Sequence, residues 1–130
     1  MRKKCLRWAA TAVLAVFVVP ASHAATAKIT AKALRTLATD GDRFGGCMVQ
    51  LNRNVAVLAA NLPDPVVLNC PGSWVTFSCS GIHTTKEASA RMFDSAKMGF
   101  ELDKPLILEV TDEKKHQGHC YVRRIDVKKD

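Results

Sequence analysis

The chain lacks any apolar run of the roughly 20 residues that a helix needs to cross a bilayer. Its longest such run, Trp8 to Val19, is about 12 residues and is broken only by Thr11. It has no C-x-x-C pair, which removes the usual ligand spacing of zinc cages. There is no G-x-S-x-G elbow of the kind that presents a nucleophilic serine. Gly45-Gly46 lacks the remainder of a phosphate-binding loop. No internal repeat is present, which sets aside solenoids and propellers. Aromatics are scarce, at 6%. From residue 25 onward they are Phe44, Trp74, Phe77, Phe93, Phe100 and Tyr121, mostly at positions that read as core. Few remain to stack on nucleic-acid bases. These gaps argue against an enzyme, a cofactor and a nucleic-acid partner.

What is present begins with an export signal. Arg2, Lys3, Lys4 and Arg7 form a basic start, the apolar run follows, and Pro20 ends it. Ala21-Ser22-His23-Ala24 then places small residues at the −3 and −1 positions of a secretory cleavage site. The expected cut follows Ala24, so residues 1–24 leave and residues 25–130 form one domain of modest core. Cys5 lies in the basic start and leaves with it, so it is not placed to carry a lipid. The net charge of +7 falls to +3 once those four basic residues are set aside. A value of +3 with interspersed signs describes an ordinary surface, not one built for nucleic acid or an anionic membrane.

Cys47, Cys70, Cys79 and Cys120 remain. Four cysteines in a small exported domain read as two disulfides, which places the protein in the periplasm or outside the cell.

Along residues 25–130 the pattern is mostly strand. Residues 25–39 carry two competing periods: Ile29, Ala33 and Leu37 suit a helix, while Ile29, Ala31 and Ala33 alternate as in a strand. The strand is favoured, because Asp40-Gly41-Asp42 is a turn signal with a second strand, Cys47 to Leu51, after it. Val55 to Ala60 suits a helical turn or a strand extension, and Val66 to Asn69 a short edge strand. Trp74 to Cys79 alternates as a strong strand. Thr84 and Glu87 have capping-box spacing, and Ala88, Met92, Ala96 and Phe100 recur every four residues, which predicts a helix over 85–100. Leu106 to Val110 is a strand, Asp112 to Gly118 a charged hairpin loop, and His119 to Val127 the last strand. Cys120 and Val122 are out of phase with Ile125 and Val127, which predicts a β-bulge near Arg123-Arg124.

Three strands, a helix and two strands is the element order of an OB-fold, a five-stranded barrel. In order and size the chain resembles small exported bacterial OB-fold proteins such as toxin B subunits and periplasmic barrels. The W-V-x-F-x-C strand at Trp74 to Cys79 and the G-x-C-Y strand at Gly118 to Tyr121 also resemble strands of exported bacterial proteins, with no activity implied. The resemblance implies neighbours. Its second and third strands are antiparallel, which pairs Cys47 with Cys79. Its third and fifth strands are parallel, which pairs Cys70 with Cys120. The alternative architecture is an open α+β sheet packed on the one helix.

Candidate chemistry is sparse. His83, His116 and His119 could serve a metal, but residues three apart on a strand face oppositely unless a turn intervenes, so no metal site is expected. Asp40, Asp42, Asp112 and Glu113 fall in expected turns, where aspartates shape backbone. Ser78 and Ser80 flank a cysteine. Lys114, Lys115, His116, Arg123 and Arg124 are the candidate binding residues, for an anionic partner. The first functional reading is an exported binding module for a glycan, peptide or protein. The second is a structural or assembly component, a homo-oligomer among its forms, motivated by the apolar segment Val55 to Leu62. The third is a small metal-dependent hydrolase.

Overall fold

A computed structural model describes Val18 and residues 24–129. The expected export signal therefore lies outside the described residues, apart from Val18 and Ala24. From residue 25 the two-residue period prevails over the four-residue one. Strand β1, Thr26–Ala31, buries Ala27, Ile29 and Ala31 and exposes the residues between them. Lys32 interrupts it, and β2, Ala33–Ala38, follows at once. After a 3₁₀ turn at Arg43–Gly45 comes β3, Cys47–Leu51.

Asn54 starts helix α1, Val55–Ala60, because its side-chain oxygen accepts from the Ala56 N–H at 3.0 Å. Val55 and Ala59 of this helix are buried in the domain's own core, while Val57 stays exposed. Val66 to Asn69 forms no strand, contrary to the sequence pattern. The Val66 N–H is spent on the Ala59 carbonyl (3.0 Å), and Leu68 and Cys70 turn into the core.

Strand β4 is shorter than its alternation suggests, covering only Trp74–Thr76. Ser78 adopts a φ of 60°, and this left-handed residue takes the chain off the sheet. Helix α2, Lys86–Glu101, is capped by Thr85 rather than Thr84, with the Thr85 hydroxyl accepting from the Ala88 N–H (3.2 Å). Its buried stripe is also one residue round from the expected one: Ser89, Phe93, Ala96 and Gly99 face inward, and Phe100 is exposed. Small residues are chosen there because they let the helix lie close, with Gly99 set against Leu106. Strands β5, Leu106–His116, and β6, His119–Val127, complete the chain.

All strands join one mixed sheet in the order β1-β5-β6-β4-β3-β2, antiparallel except for β4 beside β6. The fold is mainly β with one main helix. A closed five-stranded barrel is not what this ladder forms: it has six strands and two edges, β1 and β2. The reason is Lys32. It breaks the first strand in two, pairing both its N–H (3.1 Å) and its carbonyl (2.9 Å) with Asn52. Because that single residue separates the two edge strands, the sheet must curl until its edges approach there. The inner faces of β1, β3, β4, β5 and β6 thereby share one core.

The disulfides span this curl. Cys47 bonds to Cys79, with Cα atoms 5.6 Å apart, and Cys70 bonds to Cys120, at 5.5 Å. Antiparallel β3 and β4 bring the first pair together. The parallel pairing of β4 with β6 brings Cys70, just before β4, to Cys120. No helix among the described residues is long and apolar enough to cross a membrane.

Candidate functional site

The site is built on the β5–β6 hairpin, and its shape comes from two irregularities. The expected loop over Asp112 to Gly118 shrinks to a two-residue turn, because Gln117 and Gly118 both take positive φ (49° and 86°). That geometry matches the twist of the flanking strands, so they stay paired up to His116 and His119. The charged residues therefore lie on β5, not in a loop.

Glu109 pairs with Arg124 but Val110 pairs with Val122, which leaves Arg123 as an extra residue in β6. This is the bulge that the phase break of β6 implied. A second shift lies between Thr111 and Lys115, where Asp112, Glu113 and Lys114 have no counterpart on β6. Bulges re-aim side chains. Here they turn Glu113 and Lys114 on one strand, and Arg123 on the other, outward around the Thr111–Tyr121 pair.

Between them lies a cleft of about 270 Å³, lined by His83, Thr111, Glu113, Lys114, Tyr121 and Arg123. Tyr121 is buried and forms its wall, with the His83 ring 5.6 Å from it. Arg123 is held by Glu109 (3.0 Å), while Lys114 makes no ion pair among the described residues. The Thr111 hydroxyl donates to the Ala25 carbonyl (3.1 Å) and accepts from the Glu113 N–H (3.2 Å), which fixes the bulge.

Beneath the cleft is a buried polar network. His116 Nε2 lies 2.9 Å from Ser78 Oγ, and that oxygen also accepts from the His83 N–H at 3.0 Å. His83 Nε2 meets the Lys115 carbonyl at 2.9 Å, and the two imidazole rings pack with centroids 4.4 Å apart and planes tilted by 48°. The Ser78–His116 distance is one that a nucleophile and its base would show. Ser78 is fully buried, however, and its contacts pin the segment after β4 onto β5. On the other side, His119 packs edge-on against Phe44 (5.8 Å), and its Nδ1 is buried without a hydrogen bond.

The structure divides the sequence candidates. Lys114 and Arg123 meet at the cleft. Lys115 points away and donates to the Asn69 carbonyl, Arg124 sits with Asp126 (3.4 Å), and His116 is buried. His116 and His119 are directly opposite across the turn, so the turn does intervene, yet His116 spends Nε2 on Ser78. Among the described residues, no group of three or more His, Cys, Asp or Glu is arranged to hold a metal. Asp40 and Asp42 flank the turn before the 3₁₀ segment and stay exposed. His83 and Tyr121 entered sequence reasoning only as a weak ligand and a core residue. Nothing short of the bulge geometry reveals them as cleft walls. Comparison with family models, curated proteins and solved structures finds no match for this chain.

Burial, and then the neighbouring His83, lower the pKa of His116 against an opposing pull from Asp42; burial alone lowers that of His119. Both therefore favour the neutral ring. An unfolded histidine titrates near 6.5. Below that pH the unfolded chain binds protons that the native chain refuses, so stability is full above about pH 6.5 and falls as the pH drops toward the native values. Calorimetry at pH 7.5 and 5.5 should give a Tm a few degrees lower in acid. The double variant His116→Gln/His119→Gln should flatten the difference. Equal values for the parent protein would mean that these rings do not resist protonation.

Proposed function

We propose that this protein is a non-catalytic exported binding module whose cleft takes an acidic saccharide. The observation that carries the reading is that Lys114 and Arg123, each at a bulge, line one cleft with Tyr121 and His83. Lys114, and the guanidinium N–H groups that Arg123 does not spend on Glu109, together with the Tyr121 phenol beside Glu113, suit a polar ring bearing a negative group. Aromatic walls supply apolar contact and the cations supply charge-assisted hydrogen bonds. Arg123, held by Glu109, and Tyr121, paired with Thr111, are in place before any ligand arrives, which lowers the ordering cost of binding. Two disulfides fit the periplasm or the extracellular space.

We also read the curled sheet as an OB-like barrel with a split first strand. If β1 and β2 count as one, the ring runs β1/β2, β3, β4, β6, β5 and back, with α2 between β4 and β5. In that reading the 3₁₀ turn and the β5–β6 turn are neighbouring rim loops. The Gln117 side chain, which accepts from the Phe44 N–H at 2.7 Å, supports their contact.

Titration with an oligogalacturonate, followed by amide and ring NMR signals, tests the reading. Shifts should centre on His83, Lys114, Tyr121 and Arg123 and shrink as salt rises. The double variant Lys114→Glu/Arg123→Glu should bind at least about 100-fold more weakly, since each charged hydrogen bond contributes about 1.5–3 kcal/mol. Shifts elsewhere, or none with acidic and neutral oligosaccharides alike, would overturn it.

A further inference from the structure

We propose that Asp112 is the docking carboxylate for a new N-terminal ammonium, created at Ala25 when a leader peptidase cleaves the Ala24–Ala25 bond. Two independent observations meet at that bond. The sequence places small residues at −3 and −1 before Ala25. The fold places the Ala25 nitrogen 2.7 Å from Asp112 Oδ1.

The rest of Ala25 is anchored in the same place. Its carbonyl accepts from the Asp112 N–H (3.1 Å) and from the Thr111 hydroxyl (3.1 Å). Asp112 Oδ2 accepts from the Asn69 N–H at 3.0 Å, so one side chain ties the chain start, the segment before Cys70, and β5. Asp112 belongs to the three-residue bulge of β5, and its departure from regular pairing is what lets it reach both nitrogens. Ala24 is exposed, so the scissile bond stands at the surface where the anchored chain begins.

Cleavage consumes one water. The C–N bond breaks, the water oxygen bonds to the Ala24 carbonyl carbon, which departs as a carboxylate, and both water protons pass to the Ala25 nitrogen, which already carries one hydrogen and becomes an ammonium. A neutral amide donor thus becomes a charged one facing the same oxygen. Hydrogen bonds with a charged donor and acceptor are roughly twice as strong as neutral ones. Burial pushes the Asp112 carboxyl up, but the N–H groups of Asn69 and Ala25 and the charge of Lys115 outweigh it and hold it below its usual 3.8. The carboxylate is therefore ionised and ready in the precursor. Lys115, on the same strand, is the other cation acting on it, and Glu113 and Lys114 adjoin it on the bulge. Processing would make the exported domain more stable than its precursor, and would firm the bulge that carries Glu113 and Lys114.

The test starts from the full chain, exported from a bacterium and recovered after processing. N-terminal sequencing should begin at Ala25. A second full chain, with Gly-Ser inserted between Ala24 and Ala25, leaves a two-residue extension that moves the ammonium away. In denaturant titrations at pH 7 the Ala25-started protein should have an unfolding constant about fivefold smaller than the extended one. The gap should vanish when both carry Asp112→Asn. An ammonium so paired has a pKa raised above its free value of about 7.7–8.0. Its contribution is thus full below that value and fades as the pH rises through the raised pKa. NMR titration of the Ala25 amine reads this directly even where the Asn variant fails to fold. Processing at another bond, an unraised amine pKa, or a gap that persists in the Asn pair would each overturn the proposal. None of these readouts involves the ligand cleft.

Discussion

Replacing Cys70 and Cys120 together by alanine will lower the stability of the domain by about 4 kcal/mol, and this will be its most damaging covalent change. The bridge closes a separation of 50 residues, against 32 for Cys47–Cys79. Loop-closure entropy grows with the logarithm of that separation, so the two bridges differ by only a few tenths of a kcal/mol in that respect. What singles out Cys70–Cys120 is its position. The connection over 61–73 has no regular structure beyond α1 and relies on point attachments. Leu68 and Cys70 are buried, the Asn69 N–H binds Asp112, and the Asn69 carbonyl takes Lys115. Removing the bridge leaves those few contacts to restrain the whole segment. Urea unfolding of the double variant, with hydrogen exchange across residues 66–73, measures both parts. A loss under about 1 kcal/mol would mean that the polar contacts alone hold the segment.

Much of the fold was legible because local pattern and tertiary need agreed. Ala27, Ile29 and Ala31 alternate, and they are the inward face of β1. The phase break between Val122 and Ile125 marked the bulge at Arg123, since a strand with a buried face must restore its alternation. Disagreements arose where a tertiary contact overrode a local signal. Trp74 to Cys79 alternates throughout, but Ser78 leaves the sheet to reach His83 and His116. Ala96 is buried and Met92 packs against the core as the helical period implied, but Phe100 is exposed and the close approach to Leu106 falls to Gly99 instead. What divides the first strand and leaves the sheet two edges was not legible in the sequence. Nothing in Thr30-Ala31-Lys32-Ala33 announces that Lys32 pairs with Asn52 and divides the strand.

The site was legible only as charge. Lys114 and Arg123 stood out as cations, but so did Lys115 and Arg124, and a cluster in sequence is not a cluster in space. A strand sends neighbours to opposite faces. The three-residue shift in β5 then decides which of them meet, and the Asp112 contacts that accompany it, to Ala25 and Asn69, join residues with sequence separations of 87 and 43. Local periodicity carries no information over such distances.

The second large effect concerns Gly45, where Gly45→Ala is expected to cost about 3–5 kcal/mol and to disorder the floor of the cleft. The residue has a φ of +77°, which costs a side chain about 1–2 kcal/mol by itself. The larger share is contact. An added Cβ would lie 2.4 Å from Thr76 Oγ1 and 2.6 Å from His116 Cδ2. Neither atom has room to give. The Thr76 hydroxyl donates to the Phe44 carbonyl (2.8 Å) and accepts from the Ser78 N–H (3.2 Å), and it is fully buried. His116 is pinned by Ser78 on one side and His83 on the other. Moving either unseats Ser78, and with it the segment that presents His83 to the cleft. Gly41→Ala separates the two causes, because Gly41 has a similar φ of +64° and nothing within 4 Å of an added Cβ. It should lose only the conformational share, about 1–2 kcal/mol, and leave the His83, His116 and Tyr121 ring signals in place. If the two variants melt together, the clash at Thr76 and His116 is relieved by small shifts and the floor of the cleft is softer than its buried network implies. If Gly45→Ala alone collapses those ring signals, the rigidity of the cleft floor traces to a glycine of the 3₁₀ turn that packs on Thr76 and His116.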